Sequence, residues 1–183
     1  LIPSQMFTAI DSVPLTAIAF FMLTGELMTS ATITDRLVAL SRALIGRIRG
    51  GLAQVNVLVS MFFAGMNGSV VADTATVGAL VLPAMKKAGY PAAFSAAVTG
   101  VSSTIGGIIP PSIMMIVLAN STEISIAALF AAGIIPGVLI GIVIMVINHF
   151  FAIKYNFERS DEPFSVRRAG KELYRSSFAL LIP

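Results

Sequence analysis

The sequence has 183 residues, of which 56% are hydrophobic and 11% are charged, and its formal net charge is +3. Because a soluble domain normally carries about 25% charged residues, this composition nearly excludes a water-soluble monomer and indicates a polytopic membrane protein. The absence of cysteine excludes disulfide bonds and thiolate metal sites. The single histidine, His149, argues against a histidine-rich metal site or a catalytic triad.

The first predicted element is the apolar segment of residues 13–28. At ~1.5 Å per residue, a helix of this length nearly spans a ~30 Å hydrocarbon core. Asp11 and Ser12, which precede Pro14, favour a helix start at this point. We therefore expect a transmembrane helix within residues 1–34.

The second element, residues 35–50, is amphipathic. Arginines flank an apolar stripe that consists of Leu37, Leu40, Leu44 and Ile48. This pattern is typical of a helix that lies along the membrane surface with its basic side chains among the headgroups. A short soluble amphipathic helix is the alternative.

The third element is an apolar stretch that is interrupted at Asn67-Gly68-Ser69. Its two arms, residues 52–66 and 70–85, would each cover about 23 Å as helices, which is too short for a full crossing. We expect a re-entrant hairpin over residues 51–88, with its tip buried in protein. A polar turn without an ion, or two short spans, are the alternatives.

Residues 91–119 form the fourth element, interrupted by Gly106-Gly107 and Pro110-Pro111. Proline supplies no backbone donor, so this pattern predicts a discontinuous helix. The alternative is a proline-kinked helix whose free carbonyls bond hydroxyls such as those of Ser102 and Ser103. A second long span follows over residues 123–153, and its glycines at 133, 137 and 141 predict a close-packed face.

The distribution of basic residues along the sequence favours this topology. If residues 52–85 form a same-side hairpin, the basic loops 36–49, 86–87 and 154–175 all lie on one side of the membrane. The positive-inside rule then makes that side cytoplasmic. Because the basic residues are scattered, they do not indicate a nucleic-acid surface.

The two interruptions carry the predicted chemistry, since exposed helix ends near the bilayer midplane require polar partners. Carbonyls at helix C-termini, together with the oxygens of Asn67 and Ser69, suit Na⁺, and helix N-termini suit a carboxylate. Asp73 lies one turn beyond the tip, where a functional or paired role is expected and a capping role is the alternative. No enzyme motif or phosphate-binding loop is present, so we expect a non-enzyme without a cofactor, driven by an ion gradient.

Three segments resemble one family, the large membrane subunits of tripartite ATP-independent periplasmic (TRAP) transporters, also called DctM-like proteins. The segments are AGMNGSVVAD at 64–73, continuing to Gly78 and to PAM at 83–85, SSTIGGIIPPS at 102–112 and LFAAGIIPG at 129–137. The resemblance covers about residues 6–153. Two departures are that the family usually has Ser at position 67 and often Pro at position 107.

The resemblance implies an all-α integral membrane protein, namely one inverted repeat of an elevator-type ion transporter. Residues 1–34 would belong to the scaffold, 35–50 would form the arm helix, and 51–122 would be part of the transport domain. Residues 123–153 would form a transmembrane helix, and 154–183 the cytoplasmic connector and the start of the second repeat.

The family's site residues carry over to positions of this sequence that match its motifs. The Na⁺ site would comprise Asn67, Ser69, Gly106, Ile109 and Pro111. Asp73 and Ser112 would lie nearer the substrate. The second ion site would lie in the second repeat.

The resemblance further implies Na⁺-coupled uptake of an organic acid anion, such as a C4-dicarboxylate or sialic acid, across the bacterial inner membrane. The expected partners are a small membrane subunit, a periplasmic substrate-binding protein and the lipid bilayer. The alternatives are a sodium/anion symporter of the same fold that needs no binding protein, and a non-transporting membrane assembly subunit.

Overall fold

The computed structural model describes residues 13–30, 33–45 and 48–157, together with Gly170. The predicted connector and start of a second repeat at 154–183 therefore lie largely outside the described residues. Within the described ranges the secondary structure is helical, as the composition predicts. The helices are α1 (Val13–Ser30), α2 (Ile33–Ile45), α3 (Gly51–Asn67), α4 (Val70–Lys87), α5 (Ala92–Ser103), α6 (Ile113–Thr122) and α7 (Ile126–Lys154).

Helix α2 matches the predicted amphipathic segment only in part. Leu37 and Leu40 are fully buried, but Leu44 and Ile48 are each 41% exposed. The helix ends at Ile45, so Ile48 lies beyond it, and Ile45 belongs to the core. The placement of this segment along the membrane surface stays a prediction. The apolar face of α2 packs against α3.

Helices α3 and α4 form a hairpin whose tip is Gly68 and Ser69. Gly68 adopts a left-handed conformation with φ of 58°, which ends α3 and reverses the chain. The core lies between the two arms and α5, with α3 at its centre. Its largest buried apolar side chains include Val57, Val59, Phe63, Val77, Met85 and Ile105.

A break separates α5 from α6. Helix α5 ends at Ser103, a 3-10 turn covers Thr104–Gly107, and α6 begins at Ile113. The side chain of Ser112 caps α6, accepting a hydrogen bond from the backbone N–H of Met115 at 3.3 Å. The chain therefore has two helix ends in the middle of an apolar segment.

Helix α7 has 29 residues and is the one helix among the described residues that is long and apolar enough to cross a membrane. Its predicted glycine face is confirmed. Gly133 packs against the Ile108 carbonyl and Met115, Gly137 packs against Ile109, and Gly141 packs against Met61. Small residues on α7 thus let the break and the first arm of the hairpin approach its backbone.

An aromatic cluster joins the C-terminal end of α7 to the turn between α4 and α5. The ring of Phe157 lies 4.5 Å from Tyr90 and 5.1 Å from Phe94, measured between centroids. Tyr155 stacks on Phe151 at 6.0 Å, and the Lys154 ammonium lies 5.7 Å above the Tyr155 ring. These contacts hold three helix ends together on the side of the molecule opposite the hairpin tip.

Candidate functional site

The hairpin tip is positioned by backbone hydrogen bonds at both of its ends. The Gly68 N–H donates to the Ala64 carbonyl at 3.2 Å, which closes α3. The Gly68 carbonyl accepts from the Ile113 N–H at 3.2 Å, although the two residues belong to the hairpin and to the helix after the break. The first free N–H of α6 is thus satisfied by the tip, and the two interruptions are held together.

Glycines allow the tip and the break to meet through their backbones. A Cβ on Gly68 would overlap the Pro111 carbonyl oxygen, and one on Gly106 would stand 3.6 Å from the Ser69 carbonyl oxygen. A Cβ on Gly65 would stand 3.7 Å from the Pro110 oxygen. Backbone oxygens from both interruptions therefore line one small region.

The side chains of the tip contribute two further oxygens. Asn67 is buried, and its Oδ1 accepts a hydrogen bond from the Ser69 N–H at 3.1 Å, while its Nδ2 has no partner. The Ser69 Oγ accepts from the Ala72 N–H at 3.4 Å and so caps α4. Each oxygen retains a lone pair, which is the property that a hard cation requires.

Three of the five predicted ion-site residues meet across the tip and the break, because the Ser69 N–H donates to the Asn67 Oδ1 and a Cβ on Gly106 would stand 3.6 Å from the Ser69 carbonyl oxygen. A fourth, Pro111, lies against Gly68 of the tip. Ile109 lies in the same break, and its side chain packs against Gly137 of α7. No group of three or more His, Cys, Asp or Glu side chains in the described ranges could hold a metal. The donors available at the tip are thus amide, hydroxyl and backbone oxygens.

The two residues predicted to lie nearer the substrate are both fully buried. The Ser112 hydroxyl donates to the Gly107 carbonyl at 2.8 Å in addition to capping α6. Neither carboxylate oxygen of Asp73 has a hydrogen-bond partner. The alternative role of Asp73 as the cap of α4 was wrong, because Ser69 occupies the capping position.

The proline-kink alternative also differs from what the structure shows. The hydroxyls of Ser102 and Ser103 donate to the Thr99 carbonyl, at 3.1 Å and 2.8 Å, and not to carbonyls of the break. The Gly107 carbonyl in the break does accept from a hydroxyl, that of Ser112. The remaining carbonyls of the break are left for backbone donors or for a ligand.

Sequence reasoning missed a buried polar network between α3 and α5. The Asn56 amide donates to the Thr99 hydroxyl at 2.7 Å, and the Ser60 hydroxyl donates to that of Ser102 at 3.3 Å. Asn56, Ser60 and Ser102 have no exposed surface. The available signal was the spacing of four between Asn56 and Ser60, which places two polar groups on one face of an apolar arm.

Comparison with known proteins identifies the family to which the chain belongs. Residues 1–183 match the family model described as tripartite ATP-independent periplasmic transporter, DctM component. Over 148 residues the chain is 42% identical to the C4-dicarboxylate TRAP transporter large permease protein DctM of Pseudomonas aeruginosa, which covers 81% of this chain and 35% of that protein.

Two further relatives have different printed substrates. The sialic acid TRAP transporter large permease protein SiaM of Vibrio cholerae is 38% identical over 179 residues, covering 98% of this chain and 42% of that protein. The 2,3-diketo-L-gulonate TRAP transporter large permease protein YiaN of Escherichia coli is 41% identical over 152 residues, covering 83% of this chain and 36% of that protein. The chain thus spans less than half the length of these curated relatives. Since the family model matches along its whole length, the chain belongs to the DctM component family of tripartite ATP-independent periplasmic transporters.

Proposed function

We propose that this chain is part of the large permease subunit of a transporter that couples the uptake of an organic acid anion to Na⁺. The observation that carries the proposal is the contact between tip and break, which gathers the oxygens of Asn67 and Ser69 with the backbone of Gly106 and Pro111. Neutral oxygens in a preformed site favour a small hard monovalent cation over a divalent one, which would need carboxylates. Ile109 would supply a further carbonyl.

The substrate class follows from the helix ends at the same junction. Helices α4 and α6 both begin there, capped by Ser69 and Ser112, and helix N-termini attract anions. The relatives are named for C4-dicarboxylate, sialic acid and 2,3-diketo-L-gulonate, all of which carry a carboxylate. We propose a carboxylate substrate near this junction. Because Asp73 and Ser112 are buried, a direct role for either in binding the substrate requires the surrounding helices to open.

Movement would follow an elevator mechanism, in which the hairpin and the broken helix slide against a scaffold that includes α1. A Cβ on Gly25 of α1 would stand 2.8 Å from the Cβ of Asn67, so a small residue lies where the proposed scaffold meets the tip. The proposed partners are a small membrane subunit and a periplasmic binding protein. The proposed location is the bacterial inner membrane, with the segments 36–49, 86–87 and 154–175 in the cytoplasm.

The ion site is tested by uptake into proteoliposomes that contain the complete transporter. We expect Asn67→Ala combined with Ser69→Ala to lower Na⁺-driven uptake at least about tenfold, because two oxygens of the site are lost. Ser125→Ala is the matched control, since Ser125 caps α7 through a hydrogen bond of the same length, 3.4 Å from the Ala128 N–H. Uptake that is unchanged in the double variant would exclude an ion site at the tip.

The proposed partners need a separate experiment. Uptake is measured with and without the purified periplasmic binding protein, at a fixed inward Na⁺ gradient. We expect uptake only when the binding protein is present. Equal uptake without it would favour a symporter that captures its anion directly, and no uptake under any condition would favour an assembly subunit.

A further inference from the structure

The charged side chains of residues 48–157 are segregated by sign. The lysines and arginines of this range are Arg49, Lys86, Lys87 and Lys154, and its acids are Asp73 and Glu123. Asp73 lies beside the tip, since its N–H donates to the Ser69 carbonyl at 3.0 Å. Glu123 precedes α7, whose 29 residues separate it from Lys154 by about 40 Å along the helix axis. Within this range no carboxylate therefore lies beside Lys154.

Two of the four cations are held in place by residues at the end of α7. The Arg49 Nη1 donates to the Asn156 Oδ1 at 3.3 Å, although the two residues are 107 positions apart. The Lys154 ammonium lies 5.7 Å above the ring of Tyr155. A guanidinium has several N–H groups, and the contact with Asn156 uses one of them. Both cations thus keep donors that can be directed at an anion.

The other two cations are brought to the same end by the aromatic cluster. Lys86 and Lys87 are the last residues of α4 and are both exposed. Tyr90 follows them, and its N–H donates to the carbonyl of the last turn of α4 at 3.1 Å. The ring of Tyr90 lies 4.5 Å from that of Phe157, which directly follows the segment that holds the first two cations.

Helix geometry accounts for part of this arrangement only. The C-terminal end of a helix carries a partial negative charge, which favours Lys87 at the end of α4 and Lys154 at the end of α7. Arg49 has the opposite position, because it precedes α3, where the partial charge is positive. The association of Arg49 with the end of α7 therefore needs a different explanation.

An exposed apolar stripe leads along α7 to these cations. Val143, Ile147 and Phe150 are exposed, and their spacing places them on one face of α7 together with Lys154. A ligand that fits both parts of this face has an apolar body and a negatively charged end. A phospholipid with an anionic headgroup has this form, whereas a free phosphate would leave the stripe uncovered.

We propose that this end of the molecule binds an anionic phospholipid, with the headgroup phosphate at Arg49, Lys86, Lys87 and Lys154 and an acyl chain along the apolar stripe of α7. Basic clusters at a membrane surface attract anionic lipids, and aromatic rings favour the same depth. The assignment rests on the proposed function only in placing this end at the cytoplasmic membrane surface. A bound lipid would join the segment before α3 to the ends of α4 and α7, and so brace the base of the hairpin.

The test titrates the purified complete transporter with dioleoyl phosphatidylglycerol and measures bound lipid by native mass spectrometry. Dioleoyl phosphatidylcholine, which has no net charge, is the comparison lipid. We expect the wild type to bind phosphatidylglycerol more tightly than phosphatidylcholine. Lys154→Gln and Arg49→Gln should each weaken the binding of phosphatidylglycerol about fivefold, and Lys86→Gln combined with Lys87→Gln about 25-fold. The lysine variants test the site even if Arg49→Gln does not fold, because the three lysines are exposed.

Arg42→Gln is the matched control, since it removes an exposed cation of α2 on the same predicted side of the membrane. Arg42→Gln should bind phosphatidylglycerol as the wild type does. An equal loss of affinity in Arg42→Gln and Lys154→Gln would mean that any surface cation attracts the lipid, and it would exclude a site. Equal affinity of the wild type for the two lipids would exclude it as well.

Two other occupants of the cations would also overturn the proposal. Displacement of phosphatidylglycerol by an equal concentration of glycerol 3-phosphate would show that a free phosphate binds there. Glu158, Asp161 and Glu162 follow in the sequence, outside the described residues. If lipid binds only after these acids are replaced by amides, the chain neutralises its own cations. The titration needs neither Na⁺ nor substrate, so its failure would leave Na⁺-coupled uptake unaffected and is distinguishable from failure of the proposed function.

Discussion

Gly68 lies so close to the carbonyl oxygen of Pro111 that a Cβ at position 68 would overlap it, so the tip of the hairpin meets the break of the discontinuous helix through backbone atoms. Gly68 also has a positive φ of 58°. Both properties favour glycine at this position, the first through space and the second through conformation. The contact is the structural basis of the proposed ion site.

Gly68→Ala should therefore disrupt the site. The left-handed conformation costs an alanine about 1–2 kcal/mol, and the overlap with Pro111 adds about 1–3 kcal/mol. We expect a lower temperature of thermal unfolding and at least about a tenfold loss of Na⁺-driven uptake by the complete transporter.

Gly89→Ala is the matched control for this variant. Gly89 also has a positive φ, 78°, but a Cβ there would meet nothing within 4 Å. The Gly89→Ala variant should therefore lose only the stability that the left-handed conformation costs an alanine, and it should retain uptake. Equal effects of the two substitutions would mean that the close approach of Gly68 to Pro111 does not matter for function.

The glycine face of α7 gives a second prediction. A Cβ on Gly133 would stand 2.5 Å from the Ile108 carbonyl oxygen, a backbone atom that cannot move without shifting the break. A Cβ on Gly141 would meet only the flexible end of the Met61 side chain. Gly133→Ala should lower the free energy of unfolding by about 1–3 kcal/mol, and Gly141→Ala by less.

The measurement is chemical or thermal unfolding of the purified complex, with Gly100→Ala as the control. A Cβ on Gly100 would meet nothing within 4 Å, and alanine is the better helix former by up to about 1 kcal/mol. Gly100→Ala should thus be neutral or stabilising. A Gly133→Ala variant as stable as Gly141→Ala would contradict the assigned contact with the break.

The hairpin and the break were predictable because each is marked locally. Asn67-Gly68-Ser69 interrupts an apolar run, and the observed ends of α3 and α4 fall at those residues. Contacts between distant segments were not predictable. Ser60 and Ser102 are separated by 42 positions, and only the packing of α3 against α5 shows that their hydroxyls meet. The same limit applies to the exposure of Leu44. That exposure depends on how α2 lies on α3, and periodicity alone does not determine this packing.

A third prediction concerns the aromatic cluster. Phe157 follows α7 and contacts the rings of Tyr90 and Phe94, so it ties the end of α7 to the turn between α4 and α5. Phe157→Ala should cost about 1–3 kcal/mol, since the ring is half-buried and takes part in several aromatic pairs. Faster hydrogen exchange at residues 85–94 is the expected readout.

Phe150→Ala is the control for loss of a phenylalanine from the same end of α7. Its ring is 66% exposed, so the substitution should leave exchange at 85–94 unchanged. If hydrogen exchange at residues 85–94 is equally fast in Phe157→Ala and in Phe150→Ala, the aromatic cluster does not restrain the turn.

The topology gives the last prediction, in which single cysteines are introduced at three exposed positions, Ile48, Lys86 and Glu123. If residues 51–87 enter and leave the membrane on one side, Ile48→Cys and Lys86→Cys should react only with a reagent that crosses the inner membrane. Glu123→Cys, beyond the discontinuous helix, should react with an impermeant reagent from the periplasm. The rest of the 183-residue sequence contributes no background labelling, because it has no cysteine. Labelling of positions 48 and 86 from opposite sides would mean that the chain crosses the membrane between them. The re-entrant hairpin, and with it the cytoplasmic placement of all three basic segments, would then be wrong.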